Sequence, residues 1–187
     1  MFTRFIKKGV TDGHLHAWCL YEPTSWKHFI YIFLSVLVCR AGYYKSLTTH
    51  LPLELQHKFY SNVNRGRKLI KFGQFLAALF RTKLYWENAP LLNYEIWNLK
   101  HGQTEWELVP HEIFLCFDTG HAMLGAVSDK NAQEDILSIF RKRRFQIKHL
   151  HIHENDLIHD NHDPVGRVIT KDIFKEITNG RTYIFEK

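Results

Sequence analysis

The chain has 187 residues, enough for one domain with a sizeable hydrophobic core. Apolar residues make up 45% and aromatic residues 14%, which excludes a disordered chain. Lysine and arginine outnumber the acids 25 to 19, giving a formal charge of +6; that surplus suits a phosphorylated metabolite or a nucleic acid, and unspecialised surfaces carry it too.

In chain order, the first β-prone run is GVTDGHLHA (9–17), which carries His14 and His16. A helix is expected over 25–40. Its centre, FIYIFLSVLVC (29–39), is the most apolar stretch, yet it is well short of the roughly 20 residues that span a bilayer. It also lies too far along the chain for a signal peptide. A buried helix or strand is expected there, with no membrane partner. YYKSLTTHLP (43–52) reads as a strand carrying His50 and ending at Pro52. A helix is expected over 54–80.

TKLYWENAP (82–90) places Glu87 directly after an apolar strand core and stops at Pro90. Asn88 beside it would orient Glu87, donate to a substrate oxygen or serve the turn. IFLCFDTGHA (113–122) sets Asp118 and His121 three residues apart, with Gly120 between them to let the backbone turn tightly. The segment 129–143 reads as a helix with an acidic start, apolar Ile136, Leu137 and Phe140, and a basic end. The basic run RKRRFQIK (141–148) is expected to be its solvated terminus.

QIKHLHIHEND (146–156) is the densest stretch. In an extended strand His149, His151 and His153 share one face, and Leu150 and Ile152 the other. His151 is the best-placed ligand, His149 is expected to be packed or hydrogen-bonded, and His153 is expected at the rim. Asp160 and His162 follow on a loop. A last helix is expected over 170–178, and RTYIFEK (181–187) is a final strand carrying Glu186.

Strand, loop, helix, strand is the rhythm of a parallel α/β sheet in a single domain spanning 1–187. Parallel sheets place their sites at the carboxyl ends of strands, and each polar cluster falls at such an end. Carboxylates and imidazoles together suit zinc, manganese or a related divalent ion. Cys19, Cys39 and Cys116 are odd in number and widely spaced, with no CxxC pair, which points to a reducing cytoplasm rather than a disulfide scaffold. No GxSxG elbow, Walker loop or GxGxxG run is present.

YWENAP, FDTGHA, HIHENDLIHDNHDPVG and YIFEK resemble, in order and rough spacing, the motifs of the xylose isomerase-like TIM-barrel superfamily. That group includes sugar-phosphate isomerases and epimerases as well as the endonuclease IV type of apurinic-site nuclease. The resemblance implies a (β/α) barrel whose strand-end ligands are His16, His50, Glu87, Asp118, His121, His151, Asp160, His162 and Glu186. In the isomerase type, Glu87, Asp118, His151 and Glu186 would hold one divalent ion (Zn, Mn, Co or Mg), with Glu87 and Glu186 as catalytic proton carriers. The full set would serve a trinuclear nuclease acting on abasic DNA.

Two departures stand out. The barrel is partial, since its first two strands have no counterpart; a fragment, a partial barrel or a homodimer that closes the barrel would answer this. PVGRV places Arg167 and Val168 where the family often has an acid and a glycine. A metal-dependent isomerase or epimerase of a sugar or sugar phosphate is the first expectation. A zinc-dependent apurinic-site phosphodiesterase and a degenerate, non-catalytic barrel are the alternatives.

Overall fold

The computed structural model describes residues 13–17, 24–56, 62–89 and 104–186. Cys19, Pro90, the first residues of the 9–17 run and positions 57–61 of the expected 54–80 helix lie outside them. The chain forms two compact units, one running to Glu87 and including Leu108–Pro110, the other starting at Asn88.

In the first unit, strands β1 (His14–His16), β2 (Ser46–His50) and β3 (Lys83–Glu87) are parallel and lie side by side in chain order. Helix α1 (Trp26–Ala41) links β1 to β2, and α2 (Val63–Leu79) links β2 to β3. The Ser25 amide donates to His28 Nδ1 at the start of α1, and the buried carboxylate of Glu54 accepts from both the amide and the hydroxyl of Thr24 just before it. The first of these bonds satisfies a donor that the helix start would otherwise leave unpaired. Gly73 lets α2 close on β3: a Cβ there would stand 2.9 Å from the Trp86 ring and 3.1 Å from Leu84.

The expectation that 29–39 is buried needs correction. Ile32, Ser35, Val36 and Cys39 of α1 face the core, but Ile30, Tyr31, Phe33, Leu34 and Val38 are exposed. Apolar residues all round a helix do not reveal which side is covered.

In the second unit, β4 (Leu115–Asp118), β5 (Ile147–Ile152) and β6 (Thr182–Phe185) are again parallel and consecutive. The expected strand over 113–122 stops at Asp118 and turns at once into α3 (Thr119–Met123). Helix α4 (Asp129–Arg143) has the bounds read from the sequence, capped by Ser128 Oγ accepting from the Asn131 amide. Helix α5 (Lys171–Thr178) is capped by Thr170. Strand β4 is buried along its whole length and β5 along all but Lys148, as in parallel sheets covered on both faces.

The basic end of α4 is not wholly solvated. Arg143 is buried; it donates to Gln146 Oε1 at 2.9 Å and to the Trp106 carbonyl, and its pKa is pulled down by that burial. Arg141 behaves as expected, pairing with Glu176 at the surface.

The architecture is α/β, with six parallel strands among the described residues alternating with helices, as a partial TIM barrel requires. Consecutive strands are neighbours within each unit, so every βαβ step winds the same way along the sheet. No helix among the described residues is long and apolar enough to cross a membrane.

Candidate metal centre

The strand ends carry the chemistry. β1 finishes at His16, β2 at His50, β3 at Glu87 and β4 at Asp118; β5 holds His151 one residue from its end, and Glu186 follows β6 directly.

In the first unit the strand register sets His50 beside Glu87. His16 Nε2 stands 2.6 Å from Glu87 Oε2, and His50 Nε2 lies 3.5 Å from the same oxygen. The two imidazoles meet edge-on with centroids 5.5 Å apart. Glu87 is 1% exposed. A buried carboxylate flanked by two imidazoles is a donor set that zinc or manganese accepts. His14, the second choice in its motif, is occupied instead: its ring nitrogens contact Ser46 Oγ at 2.7 Å and Thr48 Oγ1 at 2.9 Å.

The second unit gathers more. Register places Asp118 beside His151, and His151 Nδ1 lies 3.0 Å from Glu186 Oε1 and 3.9 Å from Asp118 Oδ2. His121 Nε2 is 3.1 Å from Asp160 Oδ2, and His162 Nε2 is 3.5 Å from that oxygen. His162 also stands 3.7 Å from Glu186 Oε2. It adopts φ 56°, in the left-handed region that Tyr43, Arg81 and Leu157 also occupy. The sequence-predicted Asp118, His121, His151, Asp160, His162 and Glu186 are therefore brought together here. His149 is packed as expected, with Nδ1 2.7 Å from Thr182 Oγ1.

Asp118 combines two duties. Its Oδ1 accepts from the His121 amide at 2.8 Å, capping α3, while the same carboxylate faces the imidazoles. Asn88 holds it in place: the Asn88 side chain donates to the Asp118 carbonyl and accepts from the Asp118 amide. None of the three roles expected for Asn88 covers this latch on a neighbouring strand's backbone.

His153 corrects the sequence reading most sharply. Instead of lying at the rim, it is 1% exposed, with Nε2 3.1 Å from Asp118 Oδ1 and its ring stacked 4.1 Å from that of His162. Burial alone would lower its pKa, but the Asp118 charge and hydrogen bond outweigh that and push it up to about 9. Asp160 is held well below the usual carboxylate range: burial opposes this, and hydrogen bonds from His121 and His162 prevail. The geometry around Asp160 suits a cation, since its buried Oδ1 has no hydrogen-bond partner among the described residues and lies 3.9 Å from His153 Nε2. Such a gap is too long for a hydrogen bond and short enough for a shared ion.

Glu154 escaped the sequence reading altogether. It is buried after β5, and its carboxylate accepts from the amides of Gly166, Arg167, Val168 and Ile169 at 2.6–3.1 Å. This tie fixes the PVGRV loop despite its departure from the family pattern. Arg167 bonds Asp129 and the Asn155 carbonyl, and Val168 is buried.

No family profile and no curated protein matches the sequence. Solved structures do match. A D-tagatose 3-epimerase-like protein aligns with a TM-score of 0.62 at 14% identity, over 96% of this chain and 72% of its own. The TTHB071 protein from Thermus thermophilus, in a structure soaked with ZnCl2, aligns with a TM-score of 0.64 at 15% identity, over 93% of this chain and 70% of its own. The likeness bears out the expected fold, a partial TIM barrel.

Proposed function

We propose that the chain is a divalent-metal-dependent isomerase or epimerase acting on a sugar or sugar phosphate. The observation that carries this reading is the second-unit cluster, where the buried Asp118, His121 and His151 and the half-buried Asp160 and Glu186 approach one another. The epimerase-like name of one structural neighbour and the zinc soak of the other point the same way.

Asp118, His121, His151, Asp160, His162 and Glu186 are the groups that would hold an ion in the second unit, and His16, His50 and Glu87 those in the first. The mixture of imidazole nitrogen and carboxylate oxygen favours zinc, manganese or cobalt over magnesium. A bound ion supplies Lewis acidity, which makes a C–H beside a carbonyl easier to deprotonate. Glu87 and Glu186 are the proton carriers in this reading. Glu87 is buried, and His16 fixes its Oε2. Glu186 is steered by His151 through the 3.0 Å contact. The net positive charge would draw in a phosphorylated substrate. The buried Cys39 and Cys116 thiols suit a reducing cytoplasm.

A second reading rests on Asp160 and His162, which extend the cluster beyond what one ion needs. It is an apurinic-site phosphodiesterase using more than one zinc. One experiment separates the two. Protein purified without chelator is assayed for metal content, for metal-dependent uptake of solvent deuterium into ketoses and ketose phosphates, and for incision of an abasic duplex. Bound metal with deuterium uptake, lost in Glu87→Gln while the fold is kept, is the expected result. About three zinc ions with incision would replace the first reading by the second, and no metal after loading would remove both.

A further inference from the structure

We infer that His153 is a metal ligand, joining Asp118 and His121 on one ion, and that position 120 is glycine so that the His153 ring can reach it. The inference rests on the proposed metal dependence and adds a residue that the resemblance did not supply.

Orientation comes first. His153 Nδ1 lies 3.2 Å from its neighbour's carbonyl, Glu154 O, and His121 Nδ1 lies 2.8 Å from Asn88 O. In its neutral form, a ring that donates Nδ1–H to a backbone carbonyl keeps its lone pair on Nε2, and metal-binding histidines are commonly fixed in this way. The freed Nε2 atoms face acids: that of His153 stands 3.1 Å from Asp118 Oδ1, and that of His121 stands 3.1 Å from Asp160 Oδ2. Ligand atoms of Asp118, His121 and His153 all lie within 4.8 Å of one another. Ligands about 2.0–2.2 Å from a tetrahedral zinc are about 3.3–3.6 Å apart, so small adjustments convert this triad into a coordination site. Asp160 Oδ1, 3.9 Å from His153 Nε2, is a fourth oxygen within reach.

Gly120 supplies the independent observation. A Cβ built there would stand 1.9 Å from His153 Cε1, 2.3 Å from Nδ1 and 2.4 Å from Nε2. The Gly120 backbone lies in the helical α3 turn, so conformation does not demand glycine there; space does. The ring lies flat against the Asp118–His121 turn, and stacking on His162 holds its plane. An alanine at 120 must displace the imidazole from Asp118.

The test compares wild type, Gly120→Ala, His153→Asn and the double variant, each stripped of metal and titrated with Co(II) against a chromophoric chelator. Visible absorption of the bound cobalt reports its nitrogen ligands. Melting of the metal-free proteins checks that each variant folds; where Gly120→Ala does not, His153→Asn and His153→Gln carry the comparison. The expected result is affinity weakened about tenfold or more in His153→Asn, of the order seen when groups supporting a metal site are lost. An altered cobalt spectrum, a similar loss in Gly120→Ala and no further loss in the double variant should accompany it. Cobalt affinity and spectrum unchanged in folded His153→Asn would overturn the inference and leave the metal reading standing. A wild type that binds no cobalt would overturn both.

Discussion

Glu154 shows how far one side chain can organise a loop. Its buried carboxylate receives the amides of residues 166–169, and alanine would strand the buried Val168 and Ile169 donors away from water. Glu154→Ala is expected to cost about 3 kcal/mol or more in urea unfolding, with Glu154→Gln milder because an acceptor oxygen remains. Cys39 carries a pH dependence. Burial pushes its thiol pKa up to about 11, against a smaller opposing hydrogen bond with Thr82. A raised folded pKa gives stability that is full below the unfolded value near 9 and is lost as pH rises through about 11. Native protein at pH 8 should therefore resist iodoacetamide at Cys39 while unfolded protein reacts, and Cys39→Ala should flatten the stability profile above pH 9. At this scale the candidate site was legible where chemistry and strand position coincide, as for Glu87, Asp118 and His151. His153 and Glu154 were obscured because their roles depend on partners distant in sequence, Gly120 in one case and the 166–169 amides in the other. The run of alternating histidines put His153 on the correct face, and only its depth was misjudged.

Helices capped by their own sequence were the most readable elements. Helix α4 has an N-cap serine, an acid in its first turn and bases in its last, all local signals that need no tertiary context. Ser128→Ala should lower stability by about 1 kcal/mol by thermal melting, the usual worth of such a cap. Strands were located correctly but drawn too long. The turn into α3 at Asp118 is set by a side-chain cap, whereas the apolar pattern of FLCFD gives no signal of where pairing stops. Helix α1 was placed within a residue or two and misjudged in burial. Its composition is apolar throughout, so only the packed structure distinguishes its inward stripe from its outer side.

For the molecule as a whole, the β/α alternation was legible because each period carries its own turn and strand signals, and the structural neighbours share it despite 14–15% identity. A fold shared at such low identity is specified by the spacing of apolar runs more than by particular side chains. Strand-end position made the residues from His16 to Glu186 candidates, and it was the motif resemblance that selected them as a set. The outer side of α1 has a practical consequence for the laboratory. Ile30, Tyr31, Phe33, Leu34 and Val38 offer water a greasy strip on the intact protein, so an environment-sensitive dye will glow before any heating begins. Dye-based melting scans of this chain will start from a high baseline, and circular dichroism is the sounder gauge of its unfolding.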